Sequence, residues 1–407
     1  MIETSEILKE IEYSEWWTEE CPGHLELCMD FMDGFAGVRN QIDVPVHSLS
    51  VLLLEKGKIR EETKSEEKSS IFLWILEKMK KDSKTVSKLF QRQKKIEKKI
   101  IALSEKLEKT DLKSLENGRL WETFKEFYDL TVLFCEVAVI PEGGDPFIEE
   151  YLMPRLKKTE KIPENEINEV MITFSTPVMR SFMDKEHIDF LKLCISYLKD
   201  DKSRFSAKLR KHSDDYFWIR NNFSGSYCLD ADYFLKRVKE ETKNKAENDL
   251  KKEIEEVKNG KEEFRKKKTI YSKRYKLSGE TKLIFRIYEE MGVQIDERKR
   301  RIIRSVYYQA LLLNEIARRN RLSWTEINYF TTPEIKELLL DNKKISKEEL
   351  KSRFECSAYV TTKDEKLLVV GDDAKRIIKA FNSKIKTDII KGIVANRAKK
   401  NVIGEVL

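Results

Sequence analysis

The sequence predicts a mainly α fold: a multi-helix domain with a small N-terminal β-hairpin and a C-terminal α/β appendage. Three observations carry this expectation. Charged residues make up 37% of the 407 residues, against only 14 glycines and 8 prolines, a composition that suits long solvated helices with little punctuation. Apolar residues recur at three-four spacing through most of the middle of the chain. Two pairs of short β-rich runs, each pair joined by a tight turn, stand toward the two ends.

Residues 1–65 form an N-terminal segment. There Ser50-Val51-Leu52-Leu53-Leu54 and Ile59-Arg60-Glu61-Glu62-Thr63 flank Glu55-Lys56-Gly57-Lys58, the pattern of a hairpin closed by a glycine turn. Trp16, Trp17, Phe31, Met32 and Phe35 make an apolar face that must pack on something. Residues 66–140 read as a helical hairpin: Val86, Leu89, Ile96, Ile100, Leu103 and Leu107 form one stripe, which Gln93 interrupts, and a second helix runs from Gly118 to Val139. Asp111-Leu112-Lys113-Ser114-Leu115 marks the break between them. Ile140-Pro141-Glu142-Gly143-Gly144-Asp145-Pro146 reads as a loop and a subdomain boundary.

Residues 141–353 then form a helical domain, with helices expected at 147–158, 164–172, 184–199 and 200–213. An irregular stretch from Asn221 to Asp230 leads to a helix at 231–258 that stops at Lys258-Asn259-Gly260-Lys261, and a further helical pattern spans 279–320. Ser323-Trp324-Thr325-Glu326 and Ser346-Lys347-Glu348-Glu349 fit the capping box, and Thr332-Pro333 fits a cap followed by proline. The last segment, residues 354–407, opens with a second hairpin, Ser357 to Thr362 and Lys366 to Val370, and a short helix from Asp372 to Phe381.

The net charge of +7 comes from 79 basic and 72 acidic residues, closely interleaved. Interleaving argues for solvated helices and against a nucleic-acid surface, which needs basic residues gathered on one face. Six scattered cysteines with no CxxC pair, an acidic N-terminus unlike a secretory signal, and no apolar run of membrane-spanning length point to a cytoplasmic protein.

No metal or nucleophile constellation stands out. Cys21-Pro22-Gly23-His24-x-x-x-Cys28 has soft ligands but not the spacing of a standard zinc site. Asp145, Glu149 and Glu150 after Gly143-Gly144 read as acidic first-turn residues, since neither phosphate-cradling fingerprint is matched. The densest group of functional side chains is His212, Tyr216, Trp218, Arg220, Asn222 and Tyr227. Such rings and amides can stack on a ligand while Arg220 meets phosphate or carboxylate, or they can be aromatic core with polar capping. Arg298, Arg301 and Arg304 on one helix form an anion candidate, weighed against a salt-bridged helix.

Several runs also resemble a known family. They are Asp111 to Leu120, Phe174-Ser175-Thr176-Pro177, His212-x-x-x-Tyr216-Phe217-Trp218-Ile219 with Tyr227 and Asp232-Tyr233-Phe234, Leu322 to Ile335, and Ile390-Lys391-Gly392-Ile393-Val394-Ala395. Their order resembles that of the phosphoenolpyruvate-utilising phosphotransferases, the phosphoenolpyruvate synthase and pyruvate phosphate dikinase group, over roughly residues 110–407. The resemblance implies a helical linker followed by the start of a swivelling phosphohistidine domain. In that family an ATP-grasp domain phosphorylates a histidine held in a Gly-Gly-x-x-Ser-His context, and the swivelling domain carries the phosphate to a second site. None of the four histidines stands in that context, ATP-grasp motifs are absent, and Ala398 replaces an expected glycine. No catalytic residue is therefore assigned, and the segment ending at Leu407 reads as degenerate, truncated or completed by another chain.

The expectation is thus a non-catalytic or truncated module of such a phosphotransferase, positioning a substrate or a mobile phosphohistidine domain. ATP and Mg²⁺ would enter through missing or partner domains, and the implied partner is an ATP-grasp or phosphohistidine-domain protein. The alternative is a helical scaffold without a small-molecule ligand, using Trp16, Trp17 and Phe31.

Overall fold

The computed structural model describes residues 2–43, 48–199, 202–362 and 364–384. The chain opens with α1 (Thr4–Tyr13), β1 (Trp16–Pro22) and α2 (Leu25–Gly37), followed by β2 (Leu49–Glu55) and β3 (Lys58–Lys64). The expected hairpin is β2–β3, and its turn residues Lys56 and Gly57 have φ of 49° and 79°. Two consecutive positive φ values match the twist of the flanking strands, which is why a glycine sits there.

Next come α3 (Ser65–Lys81), α4 (Thr85–Glu108) and α5 (Asn117–Ala138). Gln93, which breaks the apolar stripe of α4, still faces inward, where its Oε1 accepts from Gln294 Nε2 at 3.0 Å. The stretch 140–146 is no open loop: Ile140–Gly143 is a 3₁₀ turn running directly into α6 (Gly144–Phe147), and both glycines are buried. A Cβ on Gly143 would stand 2.6 Å from the Lys68 carbonyl oxygen, so the glycine permits close packing on α3.

A π-helical turn at Ile148–Leu152 leads to α7 (Met153–Lys158), α8 (Glu164–Ser175), α9 (Phe182–Leu198) and α10 (Lys202–Tyr216). The helix expected at 231–258 is instead two, α11 (Ala231–Glu241) and α12 (Glu247–Arg274). The break falls at Thr242–Ala246, where Ala246 N–H donates to the Asp249 carboxylate at 2.9 Å, and α12 runs straight through Gly260. α13 (Gly279–Asn320) has the bounds its apolar pattern predicts; its 42 residues make a rod about 63 Å long. Four short elements follow: α14 (Trp324–Ile327), α15 (Thr332–Leu340), α16 (Lys347–Glu355) and the strand β4 (Ser357–Thr362). β5 (Lys366–Val370) and α17 (Gly371–Lys384) end the described chain. The Ser323–Glu326 capping box is formed as its sequence predicts.

The fold is mainly helical, and its N-terminal hairpin and C-terminal strands are one object. The five strands among the described residues join in a single antiparallel sheet of order β1-β3-β2-β4-β5, in which Leu52 of β2 lies opposite Tyr359 of β4. Side chains alternate across it. Leu49, Val51 and Leu53 pack with Ile7, Ile11, Ile377 and Phe381 under α1 and α17. Leu52 and Leu54 face the opposite way, into the helical core with Met29, Phe124 and Leu312. A central strand covered on both faces explains the unbroken apolar run of β2. Trp16, part of the apolar face expected to pack on something, meets Phe381 edge-on with ring centres 5.0 Å apart.

α13 joins the remaining layers. Its first half packs Ile284, Phe285 and Met291 against α3 and α8, and its second half packs Tyr308, Leu312 and Ile316 against α4 and α5. A separate core from Leu191, Cys194, Phe234, Leu250 and Ile254 holds α9 to α12 together. Residues 385–407, with the run Ile390 to Ala395, lie outside the described residues. Among the described residues no helix is long and apolar enough to cross a membrane.

Candidate functional sites

The predicted cluster around His212 divides into a buried half and an exposed half. His212 is a core residue, with Nε2 3.4 Å from Glu186 Oε1 and its ring edge-on to Phe234 at 4.7 Å. Trp218 is buried too, and its Nε1 donates to the Asp215 carbonyl at 3.0 Å. The half-buried Tyr216 donates its hydroxyl to Asp189 at 3.0 Å. These three therefore fix the end of α10, which is the packing reading of the sequence. Arg220 is exposed and donates to the Tyr233 hydroxyl at 3.2 Å, while Asn222 closes a small turn by accepting from Ser224 N at 2.8 Å.

Tyr227 lines an open cleft of about 380 Å³ shared with Ser224, Ser226, Asn314 and Trp324. The anchor of this loop is Asn221, which sequence reasoning passed over. Its Nδ2 donates to Ile303 of α13 at 3.0 Å, and its Oδ1 accepts from Tyr227 N at 2.7 Å.

Two of the three arginine candidates are paired with carboxylates. Arg298 is buried, with Nη1 donating to Glu142 at 2.5 Å and to the Ala138 carbonyl at 3.1 Å. Arg301 and Arg300 both reach Glu97. Arg304 lies beside Tyr308, whose hydroxyl donates to Glu108 at 2.5 Å. Arg298, Arg300 and Arg301 thus tie α13 to its neighbours, whereas the buried Arg304 Nε has no hydrogen-bond partner among the described residues. In the Cys-His-Cys stretch, His24 lies edge-on to Tyr329 at 5.9 Å and Cys28 is buried in the main core. Among the described residues no group of three His, Cys, Asp or Glu could hold a metal ion.

Two clusters that the sequence did not reveal carry the unusual electrostatics. The first surrounds Lys68, which stands in the first turn of α3 and is 0% exposed. Its Nζ lies 3.3 Å from Glu19 Oε1 and 3.8 Å from Glu142 Oε2. Burial lowers the lysine's affinity for its proton, but Glu61, Glu142 and Glu19 more than offset this, so its pKa is raised. Burial pushes Glu61 up to about 8 against the pull of Lys68, and pushes Asp145 up to about 6 with Glu19 adding to it. Beside this network a cavity of about 220 Å³ opens between β3, α2 and α13, with Phe31, Leu52, Ile59 and Phe223 among its walls.

The second cluster lies along α2. Glu26, Asp30 and Asp33, at positions i, i+4 and i+7, share one face of the helix, and that face is buried. Asp33 is well satisfied, accepting from Tyr359 at 2.8 Å on one oxygen, and from Tyr128 at 2.8 Å and Lys366 at 2.6 Å on the other. Burial holds Asp30 up to about 8, with the Phe31 amide pulling it down and Asp33 pushing it up, and burial also holds Glu26 well above the ordinary glutamate range. Asp33, Tyr128, Tyr359 and Lys366 form part of a cleft of about 460 Å³, whose far wall is the start of α15 and the Arg353–Glu334 pair. That pair is bidentate, with both contacts at 2.8 Å. Carboxyl groups held neutral in such surroundings mark functional candidates as well as structural strain.

No protein-family model, no curated protein and no solved structure matches this chain.

Proposed function

We propose that the chain is a non-catalytic or truncated module of a phosphoenolpyruvate synthase-like phosphotransferase, whose helices position a substrate or a mobile phosphohistidine domain. The supporting observation is where the resembling runs lie. Four runs spread over more than two hundred residues all meet α13. Leu112 O accepts from Arg319 at 2.8 Å, Phe174 stacks on Phe285 at 5.0 Å, and Phe217 meets Tyr307 edge-on at 4.7 Å. The Leu322–Ile335 run follows α13 directly, and its Trp324 donates to Ser224 O at 3.2 Å.

In this reading α13 is the rigid support, and the loop at 222–227 with Trp324 is the surface that meets the moving partner. Tyr227, 51% exposed, is its aromatic contact. ATP and Mg²⁺ act through other domains, as the family resemblance implies. The scaffold alternative relied on Trp16, Trp17 and Phe31; Trp16 packs on Phe381 and Phe31 packs against two cores, so no observation favours it here.

A thermal-shift panel with ATP, AMP, inorganic phosphate and phosphoenolpyruvate, each with and without a separately produced swivelling phosphohistidine domain, tests the proposal. A ligand or partner that binds only the native state must raise the melting temperature. The reading predicts a rise with the domain or with at least one phosphorylated ligand, reduced by Tyr227→Ala. A flat response to the whole panel would overturn it.

A further inference from the structure

We propose that the cleft between the 177–181 loop and the middle of α13 binds a small organic dianion, a phosphomonoester on a short apolar body. This is independent of the phosphotransferase reading and of the Tyr227 surface.

The walls of the cleft are fixed at two points. Pro177, which ends the Phe174–Pro177 run, lies so close to α13 that a Cβ on Gly292 would stand 2.5 Å from the proline Cγ. A glycine at 292 is what lets the loop approach the helix. At the other end of the loop α9 begins, and its Phe182 amide donates to Asp296 of α13 at 3.0 Å. Ser181 and Asp184 cap that start reciprocally, each side chain accepting from the other's amide at 3.0 Å. Between these ties a cleft of about 250 Å³ remains, which Lys261 of α12 also lines.

Charge then selects the ligand. Arg180, Lys185, Lys261 and Lys299 line the cleft, against the carboxylates of Asp296 and Glu297. Next to it, Asp184 lies 3.9 Å from Lys261 and Arg300 lies 2.8 Å from Glu297. Glu97, the other partner of Arg300, is matched by Arg301. Five cations thus face three carboxylates, which leaves two positive charges in excess. The acids are also engaged elsewhere, Asp296 by the Phe182 amide and Glu297 by Arg300. Among the described residues Arg180, Lys185 and Lys299 make no salt bridge and no side-chain hydrogen bond, so their donors are open to a ligand. Charge-assisted bonds to phosphate are the strong ones, and an arginine fork can grip two of its oxygens.

The remaining wall, from Pro177, Met179, Val293 and Ile295, is apolar and suits a short hydrocarbon or aromatic body. At about 250 Å³ the cleft is smaller than the roughly 300–1,000 Å³ of drug-sized sites, so one phosphoryl group and a small body fill it.

Phenyl phosphate and phenol, the same ring without the charge, are the probes. Calorimetric titration of the full chain uses low salt and about pH 7.5, above the phosphate's second pKa of about 6. Phenyl phosphate is expected to bind saturably and at least about tenfold more tightly than phenol. Arg180→Ala with Lys299→Ala should weaken it by about tenfold or more. Lys9→Ala with Lys379→Ala removes the same charge from exposed positions on α1 and α17, and should change the affinity by less than about twofold. No saturable binding of phenyl phosphate, equal binding of the two probes, or an equal loss in both double variants would overturn the proposal. The comparison of probes needs no variant, so it decides the question even if a variant does not fold.

Discussion

Asp30 lies on the buried face of α2, and its proton links stability to pH. Its pKa is raised to about 8, chiefly by burial, whereas the unfolded chain releases this proton near the ordinary Asp value of about 3.9. Between those values the native state holds more protons than the unfolded one, so stability is lost as pH rises, by about 1.4 kcal/mol per pH unit for one such group. Replacing Asp30 by Asn removes one proton from this linkage. Urea midpoints taken from mildly acidic to mildly alkaline pH should therefore fall less steeply in the variant; an unchanged slope would show that Asp30 is not the group concerned. Glu61 and Glu26, also raised, leave part of the slope in place. The Arg298–Glu142 pair makes a second prediction. Arg298→Met leaves the buried Glu142 carboxylate with only Lys68, 3.8 Å away, and removing one partner of such a buried pair costs on the order of 3–5 kcal/mol. The double variant with Glu142→Leu should regain part of that in the same denaturation experiment, because the unpaired carboxylate is gone and Lys68 keeps Glu19 at 3.3 Å.

At the scale of elements, α12 contains a glycine that its structure does not use. A Cβ at Gly260 would meet no atom within 4 Å, and the residue is helical. Gly260→Ala should stabilise the chain by up to about 1 kcal/mol, read as a higher denaturation midpoint; a loss would mean that this stretch is not helical in solution. The β2–β4 pairing is the opposite case. β2 has neighbours on both sides, so a chain ending at Cys356 would leave a long apolar edge unpaired. Size-exclusion chromatography should find that truncation aggregated, and a well-behaved monomer would show that the sheet does not depend on its C-terminal half. These elements also show what was legible in the sequence. The β2–β3 hairpin was, because Lys56-Gly57 is a local turn signal, and α13 was, because its period holds for 42 residues. The union of the two hairpins was not: the register of Leu52 with Tyr359 crosses about three hundred residues and leaves no local trace. Gly260 misled as a helix stop because a glycine inside a helix weakens it without ending it.

For the whole molecule, α13 organises what the sequence presents as separate parts. Of the candidate residues, Tyr227, Arg220 and Asn222 reach the surface, while His212 and Trp218 join the core, as aromatic residues at a helix end commonly do. The Lys68 network escaped notice for a compositional reason. In a chain with 37% charged residues, Glu61, Lys68 and Glu142 look like any solvated charges until the fold gathers them in one dry place. The central claim is that this assembly positions a mobile phosphohistidine domain. Its most direct test is an isothermal titration of the full chain with such a domain, alongside a Tyr227→Ala variant shown by circular dichroism to be folded. The account predicts saturable binding by the parent and at least about tenfold weaker binding by the variant. Absence of binding by the parent, or equal binding by both, would contradict it.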